Sequence, residues 1–521
     1  MLDAIIVGSG INGLSAAALM GSKGKKTLVL EQADAFGGAI RTQEVTLPGF
    51  YHDLFATNLS LFAGGGVMAA LKSELIAHGL EFVPSSKPYC SVFPDGKMIG
   101  VVMDRNQTEL NIAAVAPQDV QAWKLLTAKL GVLAPHLFPL LGAELPSVAA
   151  VKILIRAWRV LGTSQLLDLV RMLLQSSRAF TDEHFQSPEM KALAATWGMH
   201  LDYGPDISGG ALFSFLESIG GQEFGMVLGK GGAKVLVDAL CAVINTQGGE
   251  LRSNTHVEEI LIENGRAVGV RTSTGEIIKA RAVIANVNPA LMPNLLAGKE
   301  VSGTENAPEI EKLKDFRPGL ATMMIHLAMD QLPQWVNEDA RSFNYVHIAP
   351  YVDEMALTYA HAAAGKLPTN PTLVIGQPTV SDPSRAPEGK HILWIQVRVL
   401  PLEITGDSAG SIDGKTWDEI AEVYADRIIN NLESYAPGIK SHILARKVLS
   451  PSDLERYNPN LIKGDSLGGS HHPAQFFFLR PMPQWIRHRT PIKNLYLCGS
   501  GTWPGGGVGG GSGLMVAKLL S

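Results

Sequence analysis

Gly8-Ser9-Gly10-Ile11-Asn12-Gly13 forms an intact G-x-G-x-x-G, and Glu31 stands 18 residues beyond Gly13. Each residue type suits one task in holding a dinucleotide. Gly8 permits a tight strand-to-helix turn, Gly10 lets the backbone approach a pyrophosphate, and Gly13 lets helix and strand pack closely. Ser9 and Asn12 lie where the free N–H groups and positive dipole end of the new helix face the diphosphate. Glu31, with Gln32 beside it, is placed to accept the adenosine ribose hydroxyls. The turn alone leaves FAD and NAD(P) both open.

A second glycine element narrows that choice. Phe36-Gly37-Gly38-Ala39-Ile40-Arg41-Thr42 follows the ribose acceptor. Gly37 and Gly38 let another loop pass close to the cofactor, and Arg41, next to Thr42, can neutralise pyrophosphate charge. NAD(P)-dependent dehydrogenases have no need of this element, whereas FAD, extended across a larger domain, does. At the far end, Gly499, Ser500, Val508 and Gly509 belong to a tail with nine glycines between positions 499 and 513. Bare backbone there can line a flavin, and the start of the final helix can stabilise negative charge on its reduced form.

Elements must hold these residues in place. Ala4–Val7 and Thr27–Leu30 are short unbroken apolar runs, the pattern of fully buried parallel strands. Leu14–Met20 reads as the helix between them. Residues 118–200 read as helical, with apolar spacings of three and four around Trp123, Leu125, Leu126 and Leu130. A meander runs from Thr255 to Ile278, and the buried strand Ala282–Ala285 ends on Asn286. Thr322–Leu327, Leu373–Ile375 and Ile392–Val397 are strand-like, and Leu495–Leu497 delivers the chain to the glycine-rich tail.

Composition sets outer bounds. The chain has 521 residues, too many for one core, with 46% hydrophobic and 18% charged residues, as in an ordinary globular enzyme. A net charge of −5 argues against bulk attraction to nucleic acid. Cys90, Cys241 and Cys498 lie far apart, which removes a dithiol centre and fits a reducing compartment. The first apolar run is committed to a strand, so no secretory signal is expected, and no run of about 18 apolar residues predicts a membrane span. Val151–Arg178 is basic and amphipathic, with Lys152, Arg156, Arg159, Arg171 and Arg178 against Asp168 alone. It reads either as a peripheral membrane contact or as a solvated face over a helical cap.

The βαβ unit, glycine pair and Arg41 resemble the amine oxidase and phytoene desaturase superfamily of flavoproteins. The loop Thr379–His391 closely resembles a phytoene-desaturase-like branch, that of the pyridine nucleotide-disulphide oxidoreductase domain-containing protein 2 type. The resemblance implies an α/β fold: a doubly wound, Rossmann-like FAD-binding domain with a mixed β-sheet plus helical substrate domain. It implies FAD-binding segments at 1–80, 226–295 and 481–521, with substrate-domain segments at 81–225 and 296–480. Val257 is then expected to meet the adenine edge through its backbone, and Asn286 to lie on the strand that re-enters near the cofactor. Thr57 and Asn58 fall in a stretch expected to pass the flavin, and the region holding His471 and His472 is expected to reach its substrate side. These histidines are the polar candidates for chemistry, as against loop histidines bonded to backbone. No Glu or Cys completes a metal-ligand spacing around them, so no metal is expected.

Ser500 replaces the acid that amine oxidases usually carry, a departure shared with the carotenoid desaturase branch. Cys498 does not match the covalent attachment position of monoamine oxidases, so noncovalent FAD is expected. The implied activity is an FAD-dependent dehydrogenase or desaturase. It would take hydride from an apolar, carotenoid- or polyene-like substrate to flavin N5, with a proton lost to a base or water. The alternatives are oxidation of a C–N or C–O bond in a smaller molecule and a low-turnover binding or assembly role. A cytoplasmic location, peripheral to the membrane if residues 151–178 dock there, completes the expectation.

Overall fold

The computed structural model describes residues 1–297 and 307–521; the start of the segment expected to open the second substrate lobe lies partly outside them. In chain order its main elements begin with β1 (Ala4–Val7), α1 (Ile11–Gly21), β2 (Thr27–Leu30), β3 (Tyr89–Val92) and β4 (Met98–Val101). Four helices follow: α2 (Val120–Leu141), α3 (Val148–Leu174), α4 (Pro188–Met199) and α5 (Gly210–Phe224). The middle holds α6 (Lys234–Thr246), β5 (Glu250–Arg252), β6 (Val283–Ala285), β7 (Ala321–Met329), β8 (Tyr345–Ile348) and β9 (Thr372–Gly376). Last come β10 (His391–Leu400), α7 (Trp417–Glu433), β11 (Ile443–Leu449), β12 (Leu495–Leu497) and α8 (Gly511–Leu520).

Two sheets organise these elements. The first is parallel, in the order β12-β6-β1-β2-β5, so its strands come from the two chain ends and the middle. Its central strands read as continuous apolar runs because both faces are covered. All eleven residues of α1 are buried, which explains its run of small side chains. The helix is sandwiched between the sheet, α6 and α8, and Gly513 of α8 lies directly on the Asn12 carbonyl with no room for a side chain.

The second sheet is seven-stranded, β11-β7-β10-β9-β8-β3-β4, antiparallel except where β8 meets β3. Side chains alternate across it. Ile325, Val346, Ile375, Leu393 and Ile395 pack under α7, which starts on a Thr416–Glu419 capping box. The other face turns Tyr89, Met324, Tyr345, Val374 and Trp394 toward α2, α4 and α5.

The basic amphipathic stretch is helix α3, interrupted at Gly162, whose φ of 76° breaks it into two. Its charge is better balanced than the local sequence implies. Arg171 pairs with Glu183, and Arg178 pairs with Asp206 and Asp353, all carboxylates brought from outside the helix. Lys152, Arg156 and Arg159 have no carboxylate partner among the described residues. α2 is long and apolar enough to cross a membrane, yet Trp123, Leu126, Leu130 and Leu133 on it are buried in the helical layer.

Candidate active site

Glu31 ends β2, and its carboxylate is already organised. Oε2 accepts from the Ser9 N–H at 2.9 Å and the Ser9 hydroxyl at 2.6 Å, and Oε1 accepts from the Ala33 N–H at 2.9 Å. A carboxylate offers about four lone-pair sites, so capacity remains for a ribose hydroxyl. Gln32 Oε1 accepts a hydrogen bond from His256 Nδ1 at 2.8 Å, and the Thr255 N–H donates to the Glu31 carbonyl. Val257 therefore lies close to Glu31, the expected ribose acceptor, although the two are 226 residues apart.

The glycines do what close approach requires. Gly8 has φ of 93°, and a Cβ there would sit 2.8 Å from the Asn286 carbonyl oxygen. Asn286 donates from Nδ2 to the Gly8 and Gly10 carbonyls, stapling β6 to the turn. The Cys498 thiol, buried on β12's end, reaches the Asn286 Oδ1, and burial pushes its pKa up. Gly37 donates to Ser9, and a Cβ on Gly38 would lie 3.1 Å from Gly10 Cα, so the second loop crosses the first at backbone distance.

The residues fit a bound diphosphate. The α1 terminus has no side-chain cap and no acid in its first turn, leaving its first N–H groups free. Arg41 is buried, donates one Nη2 hydrogen bond to the Ala35 carbonyl, and keeps a buried Nε with no partner among the described residues. Thr42 lies deeper. Its hydroxyl donates to Asp53 and accepts from the Lys234 N–H, so it holds protein to protein.

That bond belongs to a buried network. Arg385 contacts Asp53 at 2.5 Å and Asp382 at 3.2 Å and donates to the Gly229 carbonyl. Asp53 also accepts from Thr57 and the Ala233 N–H, and Asp382 accepts from the Gly231 N–H. Thr57 is thus committed to Asp53, and Asn58 accepts from Ser60. The Thr379–His391 loop is therefore the arm that locks the second sheet onto the nucleotide domain.

On the other side, the tail is braced rather than loose. The Gly499 N–H donates to Ser512, and the Ser500 carbonyl accepts from buried Arg480 at 2.8 and 3.0 Å. Arg480 donates as well to the Ser470, Gly468 and Gly469 carbonyls, tying the histidine loop to the tail. His471 Nε2 accepts the Gly506 N–H at 3.0 Å, which assigns the proton to Nδ1; burial and Arg480 hold its pKa well below 6.5. Its lone pair is occupied, so it supports Gly505–Gly507 and is not free to take a proton. His472 bonds the Asp202 carbonyl at 2.7 Å and Tyr359 at 3.2 Å. Val508 and Gly509 continue this tail against the first domain, Gly509 beside Leu61.

One acid escapes the sequence reading. Glu217 on α5 makes no hydrogen bond among the described residues, and burial pushes it up to about 7. It neighbours Ser218, whose carbonyl accepts the Tyr89 hydroxyl at 2.8 Å. The available signal was a lone acid in the apolar run Gly210–Gly221. Among the described residues, no group of three His, Cys, Asp or Glu could hold a metal.

A parallel nucleotide sheet, an uncapped glycine turn with a buried arginine, and a second sheet closing over both define a dinucleotide-dependent oxidoreductase of mixed α/β fold. The family model for flavin containing amine oxidoreductases matches residues 11–519, and the chain belongs to that family. It is 29% identical to mouse pyridine nucleotide-disulfide oxidoreductase domain-containing protein 2, over 99% of this chain and 93% of that protein. It is 26% identical to the neurosporene-forming phytoene desaturase of Cereibacter sphaeroides, over 99% and 94%. Solved structures with the same fold include an oxidoreductase from Methanosarcina mazei (TM-score 0.64, 19% identity, 99% of each chain). Cyclohexylamine oxidase from Brevibacterium oxydans is another (TM-score 0.59, 17% identity, 100% of this chain and 98% of that one). The protein is an FAD-dependent oxidoreductase.

Proposed function

We propose that this protein dehydrogenates an apolar, chain-like substrate held between the second sheet and the helical layer. Bound FAD supplies the two-electron acceptor. The observation that carries the reading is the aromatic wall next to the cofactor loops. Trp394 Nε1 donates to the Phe55 carbonyl at 3.0 Å, and the adjacent Ala56 N–H donates to the Ala39 carbonyl beside Gly37-Gly38. Trp394 stacks on Tyr345, centroids 5.7 Å apart and planes within 4°, and Phe55 packs against Tyr457. Rings in direct stacking leave no slot between them for an amine, whereas their outer surfaces form an apolar wall that excludes water. Glu217 is the residue we assign to accept the proton, because burial raises it to about 7, so that its carboxylate form is available near neutrality, and it makes no hydrogen bond among the described residues.

The route by which an apolar substrate reaches the protein fits α3. Val151, Leu154, Ile155 and Trp158 are exposed on one side of its first half, flanked by Lys152, Arg156 and Arg159. An apolar stripe edged with cations suits an anionic lipid surface, and we propose peripheral contact there.

Anaerobic mixing of the holoenzyme with matched polyenes, amines and alcohols tests the chemistry. Flavin bleaching by a polyene or other apolar chain is the expected result. Rapid bleaching by an amine alone would replace this reading with C–N oxidation, and no bleaching by any class would favour the binding role.

A further inference from the structure

The wall described above continues into a group of polar atoms that the protein leaves unsatisfied. Trp197 and His200 close α4, and His347 rises from β8 between them and Tyr89. Ring centroids lie 4.7 Å apart for Trp197–His200, 4.9 Å for Trp197–His347 and 5.0 Å for His200–His347. Trp197 Nε1, His200 Nε2 and both nitrogens of His347 are buried without a hydrogen-bond partner among the described residues. Buried polar atoms are normally paired, and each one left unpaired is costly. Three touching rings with four such nitrogens mark a place built to receive something.

Arg398, on β10 four residues beyond Trp394, adds a charge. It donates from Nε to Gln396 at 2.7 Å and from one terminal nitrogen to the His200 carbonyl at 2.6 Å. Its other terminal nitrogen has no acceptor, and no carboxylate pairs with it, among the described residues. Burial lowers Arg398 to about 10 and His347 to about 3, so at neutral pH the guanidinium is charged and the imidazole is not. Arg398 and His200 are nevertheless only partly buried, so each keeps surface that a ligand can touch. Glu217 makes no hydrogen bond to the group. Asp465 acts on Arg398 through space without forming an ion pair with it among the described residues, so the guanidinium can still take a carboxylate from a ligand.

The location is consistent. From His347 the wall runs through Tyr345 and Trp394 to the Phe55 carbonyl and the Gly37-Gly38 loop. In the other direction His200 precedes Asp202, whose carboxylate accepts from Ser470 beside His471. The group therefore lies between the segments that frame the cofactor.

We propose that Arg398, His200, Trp197 and His347 form the polar end of the substrate chamber and bind a carboxylate, making the substrate an apolar chain with an acid head group. The inference rests on the dehydrogenase reading above and specifies its substrate class. A carboxylate is acceptor-only and matches a guanidinium N–H, a His N–H and the Trp N–H at once. A hydrocarbon would leave these donors unpaired, and an alkylammonium would bring a second positive charge toward Arg398.

Calorimetric titration of the holoenzyme with dodecanoic acid, 1-dodecanol, dodecane and dodecylamine tests this, one chain length carrying four head groups. The acid is expected to bind roughly tenfold or more tightly than the alcohol, with the amine weakest. Arg398→Met should weaken the acid by roughly 10- to 100-fold and leave the alcohol within about threefold. Trp197→Phe keeps the packing and should reduce the acid preference by a smaller factor, which serves if the arginine variant does not fold. Equal binding of acid and alcohol, or equal loss of both in the variants, would overturn the carboxylate assignment and leave the dehydrogenase reading standing. Binding of none of the four chains, or of the amine most tightly, would overturn both.

Discussion

Glu31 holds the strand-to-helix turn together and is also the expected ribose acceptor, so removing its carboxylate should act twice. Glu31→Ala strips acceptors from the Ser9 N–H, Ser9 hydroxyl and Ala33 N–H and loses the ribose bond. Charge-assisted hydrogen bonds contribute about 1.5–3 kcal/mol, so FAD affinity should fall by roughly 10- to 100-fold. The ratio of flavin to protein absorbance after dialysis measures it. Arg385 is different: it touches no cofactor loop glycine but neutralises two buried carboxylates. Arg385→Met should destabilise the fold by about 3–5 kcal/mol, because Asp53 and Asp382 stay buried without their partner. A denaturant midpoint unchanged from wild type would refute that account. Glu31 was legible from its spacing after Gly13, whereas Arg385 was one basic residue in a polar loop. Nothing local says that it will meet Asp53, 332 positions earlier.

At the scale of elements, α1 and β2 were readable because a buried parallel strand needs an unbroken apolar run and a tightly packed helix needs small residues. Helix α3 was readable as basic and amphipathic, but the neighbours that neutralise Arg171 and Arg178 come from other elements, so the cations unpaired among the described residues reduce to Lys152, Arg156 and Arg159. These sit beside the exposed apolar stripe, which sharpens the membrane proposal. Val151→Glu with Trp158→Glu should cut the fraction that sediments with phosphatidylglycerol vesicles by about tenfold while the flavin spectrum is unchanged. Raising salt should weaken wild-type binding, since the cations lie at a solvent-exposed surface. Sedimentation that ignores both changes would rule out this face. The kink at Gly162 was not foreseen, because a glycine inside a helical pattern signals tolerance as readily as a break.

Across the whole molecule, burial sets the response to pH. Histidines 52, 326, 347 and 488 are lowered to about 2, 4, 3 and 4, and His200 and His471 lie well below 6.5, all chiefly through desolvation. Below pH 6.5 the unfolded chain binds these protons and the folded one does not, so stability falls as pH falls. Each such histidine contributes a slope of about 1.4 kcal/mol per pH unit once the unfolded form is protonated. Glu217 has the opposite sign. Its pKa rises from 4.5 to about 7 on folding, so it removes stability as pH rises through that interval. Burial also raises Asp202 and Asp465, but the six histidines outnumber these three acids, and the melting temperature should drop steeply between pH 6.5 and 5; a flat profile there would show these histidines are hydrated. In activity, Glu217→Gln should abolish a rise near pH 7 in the kcat/KM profile that wild type shows. By itself the sequence determined the nucleotide half of this protein, because the glycine turn, Glu31 and the apolar strands act through contacts within about thirty residues. The substrate half was decided only in three dimensions. Trp197, His200, His347 and Arg398 come from a helix end and two separate strands, and His471 proved to be a brace because Gly506 occupies its lone pair. Such roles depend on which polar atoms are left unpaired after the chain closes, and pairing across 35 to 200 positions leaves no periodic trace in the sequence.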